Sequence, residues 1–88
     1  MSDIDIQLDL SLYESGSISK DILVCFVAKQ IAEVNEVSAF QELPDWLLAA
    51  IKERLEEYKK TKGWILASSE GEEDFSPIAD KLLLLLEK

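Results

Sequence analysis

The chain has 88 residues, enough for one compact domain with a small core, and 48% of those residues are hydrophobic. Eighteen acidic side chains outnumber nine basic ones, which gives a formal net charge of −9. This balance argues against direct binding to nucleic acid or to an anionic membrane, because both repel an acidic protein. It favours binding to a basic protein partner. Alternatively, the charge serves only solubility.

The numbers of cysteine and histidine residues limit both the cellular compartment and the catalytic chemistry to be expected. Cys25 is the only cysteine, so no intramolecular disulfide is possible, and histidine is absent. The lack of histidine removes the commonest general base and the usual transition-metal ligand. The N-terminal residues carry acids where a signal peptide carries bases, and no apolar run reaches the ~20 residues of a membrane span. We therefore expect a cytoplasmic protein without membrane contact.

Residues 4–12 alternate without interruption between aliphatic and polar side chains. The aliphatic positions are Ile4, Ile6, Leu8, Leu10 and Leu12. A strict period of two predicts a half-buried β-strand, whose opposite face carries Asp5 and Asp9. Residues 14–17 then form a turn.

A first helix is predicted from about residue 20 to residue 35, with Ser19 as its N-cap. Its first half, residues 22–28, is apolar all round and therefore needs cover on every side. Because several of these residues are β-branched or aromatic, a buried strand over 22–28 is the alternative interpretation.

The second helix, residues 43–61, has the clearest pattern in the chain. Pro44 fits the first helical position, and Gly63 is predicted to supply the left-handed residue that ends the helix. One apolar stripe recurs at helical spacing, formed by Leu47, Leu48, Ile51, Leu55 and Tyr58. The preceding connector, residues 37–41, is predicted to be anchored to the core by Phe40 and Leu43.

The C-terminal part predicts a hairpin followed by a third helix. Residues 64–67 suit a short strand, residues 68–72 a turn, and residues 73–75 a possible returning strand. Ser76 as N-cap and Pro77 as first residue then open a helix that runs to about residue 87. It contains five consecutive leucines, 82–86, which cover its whole circumference.

The sequence thus predicts a single α+β domain over residues 1–88, with three helices and a small antiparallel sheet of two or three strands. The expected order is strand, helix, helix, strand, possible strand, helix. In this interpretation the strand over 4–12 pairs with residues 64–67 and packs on the stripe of the second helix. An all-α bundle with an N-terminal arm is the alternative.

No motif in the chain carries recognisable chemistry. Three glycines at 16, 63 and 71 cannot form a phosphate loop, and no Cys/His cluster is present to bind a metal. The acidic run over residues 70–74 lacks the ligand spacing of a calcium-binding loop. We therefore expect neither a cofactor nor a metal, and we do not expect an enzyme.

The remaining hypothesis is a non-catalytic binding protein, in the broad class of small acidic inhibitors, immunity proteins, antitoxins and nucleic-acid mimics. Residues 1–50 alone carry a net charge of −7. Complementary charge of this kind speeds association with a basic partner and selects it. The candidate partner-binding residues are Asp5, Asp9, Glu70, Glu72, Glu73 and Asp74, around an apolar centre for which Trp64, Phe75 and Tyr13 are candidates.

The alternative is a structural or assembly subunit that works through apolar helix faces, with its charge serving only solubility. Two of the predicted helices are apolar all round over part of their length, and uncovered apolar surface of this kind usually marks an interface. Two-fold dimers are the commonest oligomers, so we expect a homodimer. The candidate self-association residues are Ile22, Phe26, Leu83 and Leu84.

Overall fold

The computed structural model describes residues 6–68 and 71–87, in which four α-helices and one 3-10 helix accompany a two-stranded antiparallel sheet. The elements in chain order are α1 (Gln7–Glu14), α2 (Lys20–Val34), the 3-10 helix (Val37–Glu42), α3 (Asp45–Thr61), β1 (Ile65–Ser68), β2 (Gly71–Asp74) and α4 (Ser76–Leu86). The prediction of mixed helix and sheet is confirmed, whereas the predicted three helices and their order are not. None of the helices in the described ranges is long and apolar enough to cross a membrane.

The N-terminal strand is the main error of the sequence interpretation, because residues 7–14 form helix α1. Ile6 is buried and Leu10 and Tyr13 pack against the core, while Leu8 is 65% exposed. The inward positions are therefore four and three residues apart, which is helical spacing. Ile4 and Asp5 lie outside the described residues. The predicted pairing with residues 64–67 does not form in the described part of the chain, where β1 pairs with β2 instead.

Helix α2 forms the centre of the molecule and packs against α1, the 3-10 helix, α3 and α4. Its start is as predicted, because the hydroxyl of Ser19 accepts a hydrogen bond from the backbone N–H of Ile22 at 3.3 Å. Asn35 ends it in the left-handed conformation, with a φ of 58°. The alternative of a strand over 22–28 is wrong. The buried residues of helix α2 are Leu23, Val24, Cys25, Val27, Ala28, Ile31 and Ala32.

Helix α3 packs the predicted stripe into the core. Leu47, Ile51, Leu55 and Tyr58 are buried, and Leu48 is half-buried. The connector before it is anchored by buried Phe40 and Leu43, as predicted.

Both predicted ends of α3 need a small correction. Pro44 stands just before the first helical residue and accepts hydrogen bonds from the backbone N–H groups of Leu47 and Leu48. Lys62, not Gly63, takes the left-handed conformation at the other end, with a φ of 59°. At this end the Thr61 hydroxyl has the carbonyls of Glu57 and Gly63 as alternative acceptors, at 3.1 and 3.2 Å, and it accepts a hydrogen bond from the Gly63 N–H.

The hairpin places two large aromatic residues in the core at its open end. β1 and β2 pair from Ile65 with Asp74 to Ser68 with Gly71. Trp64 and Phe75 flank this ladder, joined by a 2.7 Å hydrogen bond from the Phe75 N–H to the Trp64 carbonyl. Both side chains are buried and their ring centroids are 5.4 Å apart.

Helix α4 begins one residue earlier than expected. Ser76 is its first residue and not its N-cap. The Asp74 carboxylate accepts a hydrogen bond from the backbone N–H of Ser76 at 2.9 Å. Asp74 therefore satisfies one of the free N–H groups at the start of the helix.

Candidate functional site

The outward side of α2 is the surface on which predicted site residues converge. Ile22 and Gln30 are half-buried there, and Phe26, Lys29 and Glu33 are exposed. We call these five residues the α2 outer face. Phe26 is 37% exposed and lies at its centre, although it belongs to the most buried helix of the molecule. With 3.6 residues per turn, Lys29 and Gln30 project on opposite sides of the line through Phe26.

Asp9 lies on one side of the α2 outer face. Its carboxylate oxygen Oδ2 accepts a 2.7 Å hydrogen bond from Nε2 of Gln30, in a partly buried setting. This bond crosses from α1 to α2, and it exists because residue 9 is on a helix packed against α2 and not on a strand.

Glu73 lies on the other side, at the end of the hairpin. Its Oε2 is 3.2 Å from Nζ of Lys29, and both side chains are about half exposed. An exposed ion pair of this kind contributes little to stability, roughly 0.2–1 kcal/mol. Its effect is mainly to hold the Glu73 carboxylate beside α2.

Of the six predicted partner-binding acids, the structure brings Asp9 and Glu73 to the same helix. Glu72 is exposed on the neighbouring strand position. Asp74 instead serves the start of α4, and hydrogen bonds from the side chain and backbone of Ser76 lower the pKa of its carboxyl. Asp5 and Glu70 lie outside the described residues.

The predicted apolar centre needs correction. Trp64 is only 2% exposed and Phe75 is buried beside it, so neither side chain offers surface to a partner. Tyr13 is half-buried and stacks on Trp46 with ring centroids 5.7 Å apart. Phe26, which the sequence suggested for self-association, is the aromatic residue that the predicted acids flank.

The other self-association candidates differ in exposure. Leu83 is half-buried and packs against the core, whereas Leu84 is 63% exposed on α4. Ile22 is half-buried next to Phe26 on α2. Leu84 therefore forms an apolar position on a different element from the α2 outer face.

Sequence reasoning missed Arg54, the only arginine of the chain. Its guanidinium carbon lies 5.0 Å from the centre of the Trp64 ring, in a cation–π arrangement. One signal was available in the sequence. Arginine stacks on aromatic rings better than lysine does, and the chain has a single arginine beside eight lysines. The fold was needed to show that Trp64 is the ring it meets.

Cys25 lies on the α2 side of this arginine and is buried. Burial raises the pKa of the Cys25 thiol, and a hydrogen bond with Trp64 and the charge of Arg54 offset this effect only in part. A thiol held in its protonated form is a weak nucleophile. Cys25 therefore acts as a small packing residue between α2 and Trp64.

Within residues 6–68 and 71–87, no group of three or more Asp, Glu or Cys side chains is placed to hold a metal ion. No protein-family model matches the chain, and no curated protein or solved structure shows significant similarity to it.

Proposed function

We propose that this chain is a non-catalytic binding protein that engages a basic surface of a protein partner through the α2 outer face. The observation that carries the proposal is the placement of two carboxylates, Asp9 and Glu73, on opposite sides of the exposed Phe26. Such a protein belongs with small acidic inhibitors, immunity proteins, antitoxins and nucleic-acid mimics in its mode of action.

The apolar and the acidic residues of this surface have different roles in binding. Phe26 and Ile22 provide an apolar centre that a partner desolvates, and a few such residues carry most of the affinity in protein interfaces. The carboxylates at the rim, with Glu33 and Glu72, attract a basic surface and raise the association rate more than the affinity. The unpaired Cys25 is in keeping with a reducing cytoplasm as the place of binding.

The partner's footprint tests the location of the surface. We expect affinity capture from the source cell, followed by amide exchange on the purified complex, to protect residues 26–33 and the hairpin. Phe26→Asp should abolish capture of the same protein. Leu8→Asp, which places the same charge at another exposed apolar residue, is the matched control and should leave capture intact. Protection centred on Leu83 and Leu84 would place the interface on α4 instead.

A second candidate is a structural or assembly subunit that acts as a homodimer, and the exposure of Leu84 on α4 favours it. Leu84 is 63% exposed near the C-terminal end of this helix, where it would add apolar surface to an interface between two copies. A dimer formed through Leu84 leaves the α2 outer face open, so the two candidates exclude each other only if self-association uses Phe26.

A further inference from the structure

A cleft lies between the first half of α2, the middle of α3 and β1, on the far side of Cys25 from the α2 outer face. Its volume is about 320 Å³. A cavity of this size takes a small molecule, and Ile65 and Leu66 contribute apolar side chains to its lining. We call it the Arg54 cleft.

The guanidinium of Arg54 is half-buried beside this cleft, and one of its donor atoms lacks a hydrogen bond to the described part of the chain. Its carbon Cζ lies 5.0 Å from the centre of the Trp64 ring. Within the described residues, its buried atom Nη1 makes no hydrogen bond, and its ion pair with Oε1 of Glu57 spans 3.7 Å. A buried donor without a partner costs free energy, so the site gains from any ligand that brings an acceptor. The planar fork of arginine matches a carboxylate in two parallel hydrogen bonds.

The charges around the cleft restrict the ligand further. Lys20 and Arg54 are the cations of its lining, and Asp21, Glu53 and Glu57 are the acids. A simple anion would be repelled by these three carboxylates, and a simple cation would be repelled by Lys20 and Arg54. A ligand that carries both charges satisfies both sets.

We propose that the Arg54 cleft binds a small zwitterion with an apolar side chain, of the α-amino acid class. The ligand carboxylate pairs with Arg54, its ammonium group faces Glu53 and Glu57, and its side chain lies against Ile65 and Leu66. This site is independent of the proposed partner surface, and its test requires no partner.

Three matched probes distinguish the charges: leucine, 4-methylpentanoate, which lacks the amine, and 3-methylbutylamine, which lacks the carboxylate. The readout is the NMR shift of the Trp64 indole N–H and of the Arg54 side-chain N–H groups in the full chain. We expect saturable shifts with leucine and weaker binding of each of the other two. Arg54→Gln should weaken leucine binding about tenfold or more, the loss of charge-assisted hydrogen bonds.

Two further variants keep the test decisive if Arg54→Gln does not fold. Glu53→Gln, at an exposed position, should weaken the binding of leucine but strengthen that of 4-methylpentanoate, because one of the repelling carboxylates is removed. Lys60→Gln removes a cation of α3 outside the cleft and should change nothing. Binding of 4-methylpentanoate as tight as that of leucine would overturn the proposal. So would leucine binding that ignores both Arg54→Gln and Glu53→Gln, or no saturable shift up to the solubility limit of leucine.

Discussion

Single side chains decide where several elements of this protein begin and end. Most of these side chains cannot be recognised from the sequence around them. Ser19 is visible from the sequence because a hydroxyl residue before an apolar run is a common N-cap. Asp74 is not, because it precedes the helix by two residues and stands in an acidic run that reads as a solvated turn. Lys62 takes the left-handed position although the next residue, Gly63, is better suited to it.

Asp74→Ala should lower the thermal stability of the protein at neutral pH, because the variant loses the acceptor for the Ser76 N–H. The pKa of Asp74 is lowered in the folded state. Its stabilisation is therefore present above the unfolded-state pKa of about 3.9, and it is lost as the pH falls through the folded-state pKa. We expect the gap in Tm between wild type and variant to be constant near neutrality and to narrow in acid. The exposed Glu72→Ala is the control, and an equal gap at all pH values would contradict the assignment.

Tyr58 predicts a response at the alkaline end. Its hydroxyl donates a 2.8 Å hydrogen bond to Oδ1 of Asp80, and this bond raises the pKa of Tyr58. The neutral form is favoured in the folded state, so its stabilisation is present below the unfolded-state pKa of about 10 and is lost as the pH rises through the folded-state value. Chemical denaturation should show that wild type loses more stability than Tyr58→Phe in alkali. Parallel curves would show that the bond does not link α3 to α4.

At the scale of elements, the sequence predicts α2 and α3 well, and it predicts the hairpin and α4 to within a few residues. Helix α1 was missed because the alternation over residues 4–12 contains two periods at once. Ile6, Leu10 and Tyr13 are at helical spacing, and Leu8 and Leu12 complete the alternation by coincidence. The composition of residues 7–14 argues against a strand, because they contain no β-branched side chain and strands favour such residues.

Two alanine substitutions separate the helix from the strand. In α1, Leu10 packs against the core and Leu8 does not. We expect Leu10→Ala to lower the free energy of unfolding by about 1–2 kcal/mol, less than for a fully buried leucine. Leu8→Ala should change it by less than about 0.5 kcal/mol. Urea unfolding measures both, and equal losses would indicate that the two leucines share one buried face, as in a strand.

At the scale of the whole molecule, the candidate surface was only partly predictable. Acidic residues in the N-terminal segment and in the hairpin could be proposed from the sequence, because their charge is local information. Their meeting across α2 could not, since it depends on a helix that was predicted as a strand and on the position of Lys29 and Gln30. Trp64 was predicted to face a partner and is buried instead, for a related reason. Its neighbour Phe75 and the cation of Arg54 reach it only in the folded chain.

Self-association should use α4 and not α2. We expect sedimentation equilibrium at micromolar concentration to show a dimer, which Leu84→Asp converts to a monomer of 9.9 kDa. Phe26→Asp should leave the dimer intact, because we propose that the α2 outer face binds a different protein. A dimer that dissociates with Phe26→Asp would favour the assembly subunit, and a monomeric wild type would leave Leu84 without a role in association.

The central claim is that Asp9 and Glu73 steer a basic partner onto Phe26, and association kinetics test it most directly. Stopped-flow mixing with the captured partner should show a rate that falls steeply from low to physiological ionic strength, because salt screens the carboxylates. In Asp9→Asn with Glu73→Gln the rate should be lower and its salt dependence shallower. Glu56→Gln with Glu87→Gln removes the same charge beside α4 and should have a much smaller effect. A wild-type rate indifferent to salt and to both acidic substitutions, but abolished by Phe26→Asp, would contradict electrostatic steering and favour an apolar assembly subunit.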